Sequence, residues 1–258
     1  MKNKKILFLC LPAAVLLCLL LARPGYYAFR ELQYHLSDPT PAQETVHAYA
    51  HEQGIHYGSY PESLIRLLEN NEETKSFVLE YPTRNIIEPD LSEYSTDTVP
   101  LFLQWDPMWG YTKYGSDFLA ITGCGPTCLA MAGYYLTGDT NMTPSQIATF
   151  AEKNGYYQKG YGSSWTLISK GAGQLGLEAR ELPLVKKKMV TALEEGKPII
   201  LSMGEGDFTS TGHYIVLTGL EGDGFRINDP NSLINSQKIW TYEQLEPQIR
   251  NIWVISKP

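Results

Sequence analysis

The sequence predicts an α+β protein in which helices come first and an antiparallel sheet follows. Three observations predict it. Apolar residues recur at helical spacing from Gly125 to Glu195. From Lys197 onward the period changes to that of extended chain. Between two of the extended runs, Glu221-Gly222-Asp223-Gly224 supplies a tight hairpin turn. The sheet is therefore expected to pack on the preceding helices, the first of which begins at a cysteine. At 258 residues, 43% hydrophobic and 12% aromatic, the chain has material for one substantial domain with attachments, which excludes disorder for its bulk.

Residues 1–29 read as a membrane anchor or signal segment. Lys2, Lys4 and Lys5 precede an apolar run from Ile6 to Ala22, closed by Arg23-Pro24-Gly25. That run is short for a membrane span and long for the apolar core of a signal peptide. No Ala-x-Ala cleavage site follows, so an uncleaved anchor is preferred over a cleaved signal. The basic cluster would then stay in the cytosol and the remainder would lie outside.

Residues 30–98 form a stalk and a helical region ahead of the main domain. The stalk runs from Tyr26 to about Pro41. A helix is expected from Gln43 to about Gln53, ended by Gly54. A second opens at Ser59-Tyr60-Pro61-Glu62, with proline in its first turn and Leu64, Ile65, Leu67 and Leu68 as its apolar face. Asn70-Asn71 interrupts it before Glu72 to Tyr81. Glu88 to Asp97 is polar and turn-rich, a linker by composition.

The main domain occupies residues 99–258. Val99 to Gln104 is a short extended run. Helices are expected from Gly125 to Leu136, from Thr143-Pro144 to Gly155, from Trp165 to Leu175 and from Lys186 to Glu195. Strands follow at Lys197 to Met203, His213 to Leu220 and Phe225 to Asn228. Ile239-Trp240, a short helix near Tyr242 to Leu245, and Ile252 to Ile255 complete it.

Charge and cysteine usage narrow the function class. The first 29 residues carry four basic groups and no acid. Without them, 17 Lys and Arg face 28 Asp and Glu, a net charge of −11, which excludes a basic nucleic-acid surface. Cys10 and Cys18 lie in the apolar run, leaving only Cys124 and Cys128 for the main domain, too few for a disulfide scaffold.

The chemistry concentrates at Gly123-Cys124-Gly125-Pro126. A cysteine at a helix start meets unpaired N–H groups and a partial positive charge, a setting that favours the nucleophilic thiolate. Flanking glycines permit a close approach that a core cysteine does not need. Cys128, one turn on, reads as packing. His213 is the one histidine after residue 56, and Asp229 ends the strand after it, across a hairpin that brings the two level. Cysteine, histidine and an orienting acid make the minimum set for thiol catalysis. Gln104 is either an amide donor to an oxyanion, beside the Cys124 N–H, or a surface polar residue; spacing does not choose. Metal readings are weaker. Cys124-x3-Cys128 with His213 and Asp229 does not match compact zinc spacing. His47 and His51, i and i+4 on a helix, lack the glutamate that a metalloprotease motif requires. No cofactor or metal is expected.

Gln104-Trp105-Asp106-Pro107, Gly123-Cys124-Gly125-Pro126-Thr127-Cys128, Gly212-His213-Tyr214 and Asn228-Asp229-Pro230 together resemble the C39-like cysteine peptidases. The resemblance covers Val99 to the C-terminus and implies a papain-like fold. It carries Gln104 over as oxyanion donor, Cys124 as nucleophile, His213 as general base and acid, and Asp229 as its orienter. In transporter-linked members the cysteine follows the glutamine more closely, and no transporter follows here. The chain therefore resembles the stand-alone, membrane-tethered branch of Gram-positive bacteria, without the double-glycine leader specificity.

The expected function is an extracytoplasmic thiol hydrolase acting on a peptide or amide bond of a peptide or protein substrate, one at the cell wall included. Its place is the cell membrane, single-pass with the catalytic domain outside, or the exterior if the N-terminal segment is cleaved. Acyl transfer or deamidation on the same triad, and a non-catalytic papain-like binding module, are the alternatives.

Overall fold

The computed structural model describes residues 23–258. The apolar run read as an anchor, Ile6 to Ala22, lies outside the described residues. Among those described, no helix is long and apolar enough to cross a membrane. Contacts divide the chain into two units, Met1–Arg84 and Asn85–Pro258.

The first unit is helical. Helix α1 spans residues 23–36, where a stalk was expected. It is packed rather than free, because Arg30 is buried and pairs with Glu62 at 2.8 Å. Helix α2 (Pro41–Glu52) starts at a capping box: the Thr40 hydroxyl accepts from the Gln43 N–H, and the Gln43 amide accepts from the Thr40 N–H. Ala42, Val46 and Ala50, four apart, form its buried stripe. Helix α3 (Glu62–Asn70) buries Leu64, Ile65, Leu67 and Leu68, as the pattern predicts. Asn71 leaves the helical region, its side chain accepting from the Glu73 N–H, and α4 (Lys75–Leu79) resumes the apolar face with Phe77 and Val78.

The second unit begins with residues that composition reads as a linker, yet Leu91 is fully buried in its core. The Tyr134 hydroxyl lies on the Leu91 and Tyr94 carbonyls, at 2.8 and 2.7 Å. Residues 99–104 form no strand. They are tethered instead by the Asn228 amide, which donates to the carbonyls of Val99 and Pro100 at 3.1 and 2.8 Å. Elements then follow in order: the small hairpin β1 (Lys113–Tyr114) and β2 (Asp117–Phe118), the short helix α5 (Leu119–Thr122), α6 (Cys124–Thr137), α7 (Pro144–Lys153), the hairpin β3 (Tyr157–Gln158) and β4 (Gly162–Ser163), and a π-helical turn (Leu167–Gly171) running into α8 (Ala172–Gln174). Strand β5 (Glu178–Glu181) and α9 (Lys186–Glu194) lead to β6 (Ile199–Met203), β7 (His213–Glu221) and β8 (Gly224–Asn228). Helix α10 (Leu233–Ser236), β9 (Ile239–Trp240), α11 (Tyr242–Leu245) and β10 (Ile249–Ser256) close the chain.

The main sheet has the order β5-β10-β6-β7-β8-β9 and is antiparallel throughout. Alternation divides its residues between two cores. Ile200, Val216, Trp253 and Ile255 pack with α6. Ile199, Leu201, Ile215, Leu217 and Val254 pack with Met189 and Leu193 of α9. Helix α6 is buried from Gly125 to Tyr134 because it is apolar on all sides, and Gly138 stops it at φ 70°. The expected helix at Trp165 to Leu175 is present over residues 165–174, with a π turn at Leu167–Gly171 in its middle. The last strand is longer than its apolar centre suggests.

Candidate active site

Three chain segments converge at one end of the sheet. The first is the start of α6. Its N-cap, Gly123, offers no side-chain acceptor, so the first-turn N–H groups have no side-chain cap beside Cys124. Both flanking glycines are needed for space, since neither has a positive φ. A Cβ on Gly123 would stand 2.4 Å from the Leu119 carbonyl oxygen, and one on Gly125 2.7 Å from both Cβ and Oγ of Ser163. The close approach expected at these glycines is made by the chain's own neighbours. Cys124 is partly exposed, Cys128 is fully buried, and both are free thiols. Burial pushes the Cys128 thiol well up, with Cys124 and Asp229 adding to the shift.

The second and third segments are the head of β7 and the end of β8. Val216 stands opposite Asn228 in the ladder. This register brings His213 and Asp229 to the same end of the sheet as diagonal neighbours. His213 Nε2 lies 2.7 Å from Asp229 Oδ1, both side chains being buried. With Nε2 committed to Asp229, the ring nitrogen left for a second partner is Nδ1, and Cys124 adds to the shift of the ring. Burial alone would lower the imidazole pKa. The charge and hydrogen bond of Asp229, and the contact with Cys124, outweigh it and push the group up to about 10.

Asp229 is the counterpart. Burial raises its pKa, but His213, the Asn235 amide and the Asn231 N–H bring it below the ordinary carboxylate value. Its Oδ1 accepts from the Asn231 N–H at 2.9 Å and its Oδ2 from Asn235 Nδ2 at 3.0 Å. The carboxylate is thus held on three sides in one orientation. Asn231 and Asn235 carry no sequence signal for this role, which arises because α10 turns back over the end of β8.

Gln104 is buried, not a surface residue. Its Nε2 donates to the Ala120 carbonyl at 2.7 Å, while Oε1 has no hydrogen-bond partner. Its backbone N–H donates to Pro230 O at 2.7 Å, which ties it to the residue after Asp229. A cleft of about 460 Å³ opens over Cys124 and His213, with Ser163, Trp165, Ser202 and Tyr214 in its wall; Gln104 is not part of that wall. The Trp165 indole N–H donates to Ser202 Oγ at 3.0 Å, and the Tyr214 hydroxyl to Ser163 O at 3.2 Å. The loop from Tyr156 to Trp165 contributes directly to this wall. Gly204 to Thr211 does not, and only its neighbour Gly212 reaches the cleft. Ser202 and Tyr214 are strand residues whose place in the wall follows from sheet register.

Chemically, this is a thiol at a helix start that shares a cleft with an imidazole paired to a buried carboxylate. Cys128 cannot join it as a metal ligand, being sealed in the body of α6.

Residues 96–257 match the model of the Peptidase C39 like family. No curated protein matches the chain. Among solved structures, the peptidase domain of Streptococcus ComA, a bifunctional ABC transporter of a quorum-sensing pathway, is similar at 18% identity and a TM-score of 0.42, covering 53% of this chain and 93% of that one. A double glycine motif protease from an AMS/PCAT transporter, in complex with its leader peptide, is 21% identical at a TM-score of 0.40, with 64% and 96% covered. A C39-like peptidase from Bacillus anthracis is 14% identical at a TM-score of 0.43, with 63% and 96% covered.

Proposed function

Since the chain belongs to the Peptidase C39 like family and is a cysteine peptidase, we propose that it cleaves a peptide or amide bond through Cys124, His213 and Asp229, with Gln104 assisting, on the outer side of a membrane. The observation that carries this reading is that Cys124 and His213 line one cleft and that the imidazole is paired with the buried Asp229 carboxylate. His213 takes the proton of Cys124 through Nδ1. The thiolate attacks the substrate carbonyl carbon, and the carbonyl oxygen becomes an oxyanion. The Cys124 N–H receives it together with the second Nε2 hydrogen of Gln104, the first being held by Ala120 O. His213 then passes its Nδ1 proton to the leaving nitrogen, the C–N bond breaks and a thioester remains. Water attacks the thioester while His213 takes its proton, the C–S bond breaks, and the acid departs. Asp229 keeps the ring oriented and stabilises its charged form.

The substrate is read as a peptide from the family's activity. The external location is read from the basic residues Lys2, Lys4 and Lys5 before the apolar run. An activity-based probe for cysteine peptidases applied to intact cells tests both parts. Wild type is expected to be labelled by a membrane-impermeant probe, and Cys124→Ala is expected to lose labelling and peptide cleavage while retaining its fold. Cleavage that persists in Cys124→Ala rejects the mechanism, and labelling only after lysis rejects the location. Mass spectrometry of the products separates hydrolysis from transfer or deamidation.

A further inference from the structure

The helical unit before the peptidase domain carries a cluster that the catalytic reading does not use. Glu31 and His35 lie one turn apart on α1, and His47 comes from α2. Glu31 Oε1 lies 3.3 Å from His35 Nε2 and 2.5 Å from His47 Nε2. One donor atom from each of the three residues falls within 4.8 Å of the others. The sequence pairs His47 with His51 by helical spacing, but the fold pairs it with α1.

We propose that Glu31, His35 and His47 form a three-ligand zinc site that clamps α1 to α2. Ligand atoms around a tetrahedral zinc, each about 2.0–2.1 Å from the metal, stand about 3.3–3.4 Å apart. The Glu31–His35 separation already has that value. Glu31, the more exposed of the pair, needs to withdraw by less than about 1 Å from His47 to match it. The side chain of His35 is 62% exposed and can turn to complete the set. His47 is the fixed member, for its ring stacks on Tyr34 at 3.9 Å and 3°, and meets Tyr57 edge-on at 5.5 Å. Without a cation, two imidazoles converge on one carboxylate oxygen. With one, each ring turns its Nε2 lone pair to the metal. Two imidazoles and one carboxylate suit zinc and its borderline neighbours, whereas calcium and magnesium take oxygen ligands. Three protein ligands leave a fourth position open to water or to a partner's side chain.

The test uses the full chain in detergent micelles, dialysed against zinc chloride, with bound metal counted by mass spectrometry. A Cys124→Ala/His213→Ala background removes the thiol–imidazole pair as a competing ligand set. One equivalent of zinc is expected in that background. His35→Ala or Glu31→Gln should weaken binding about tenfold or more, His51→Ala should leave it unchanged, and excess magnesium or calcium should not compete. Cobalt in place of zinc should give the visible bands of a four-coordinate ion. His35 decides the matter if His47→Ala unpacks the helices, because its exposed ring can be removed without disturbing the core. The proposal is overturned if the background binds no zinc, if His35→Ala and Glu31→Gln bind as tightly as their parent, or if His51→Ala abolishes binding.

Discussion

Replacing Asp229 by asparagine should lower the pKa of His213 and change how stability depends on pH. Asparagine keeps the size of the side chain and one acceptor oxygen, so the ring can stay in place. What is lost is a negative charge 2.7 Å from Nε2 in a buried site. The new NH₂ also meets the Asn235 amide where Oδ2 accepted from it, so Asn235 must turn. Burial still acts on the imidazole and pulls its pKa down. The group should therefore fall from about 10 toward its ordinary value of 6.5. At about 1.4 kcal/mol per unit, a shift of this size converts to about 3–5 kcal/mol, the range found when one partner of a buried ion pair is removed. The sign follows from the raised folded-state pKa. The contribution is fully present below pH 6.5 and is lost as pH rises through about 10. Asp229→Asn should thus destabilise the domain most at pH 6 and progressively less toward pH 10. Histidine C2-hydrogen exchange read by mass spectrometry reports the ring directly, since His213 is the one histidine after residue 56, and thermal melts across the same range report the stability. A wild-type ring that titrates near 6.5, or a midpoint that Asp229→Asn leaves in place, would refute the reasoning.

Three further outcomes are expected. Iodoacetamide should modify Cys124 and spare Cys128, whose side chain is fully buried and whose thiol burial pushes up; peptide mapping distinguishes them. Gly125→Ala should cost about 1–3 kcal/mol by overpacking against Ser163, which is itself hydrogen-bonded to the Tyr114 hydroxyl at 2.7 Å, and Gly125→Ala/Ser163→Gly should recover much of that loss in a thermal melt. Gln104→Ala should lower kcat about 10²–10³-fold with little change in KM; an unchanged kcat would remove Gln104 from the oxyanion site.

The parts of the fold visible in the sequence were those with strong local pattern. Helix α6 shows because an unbroken apolar run sits between Gly123 and Gly138. Helix α7 shows because Thr143-Pro144 marks its start, and the Thr143 hydroxyl does accept from the Gln146 N–H. The β7–β8 hairpin shows through its turn. Strand β5 was invisible because Glu178-Ala179-Arg180-Glu181 is a mostly exposed sheet edge with no apolar alternation. Leu91 was hidden in a polar stretch, and nothing local says that Tyr134 will bond to its carbonyl. Cys124, His213 and Asp229 could be singled out because each sits at the end of an element, where side chains can converge. The groups that support them could not: Asn235 reaches Asp229, and Ser163 reaches Gly125, only through tertiary packing.

The tether made by Asn228 joins the end of β8 to carbonyls 129 and 128 positions earlier in the chain. The Gln104 N–H bond to Pro230 O fastens the same two regions again. Neither connection exists in a ribosome-bound fragment that stops short of Asn228, whatever its helices have done by then. The Cys124 sulfur is synthesised some hundred residues before His213 and Asp229. If these residues act as proposed, a growing chain cannot assemble the site before Asp229 has been made.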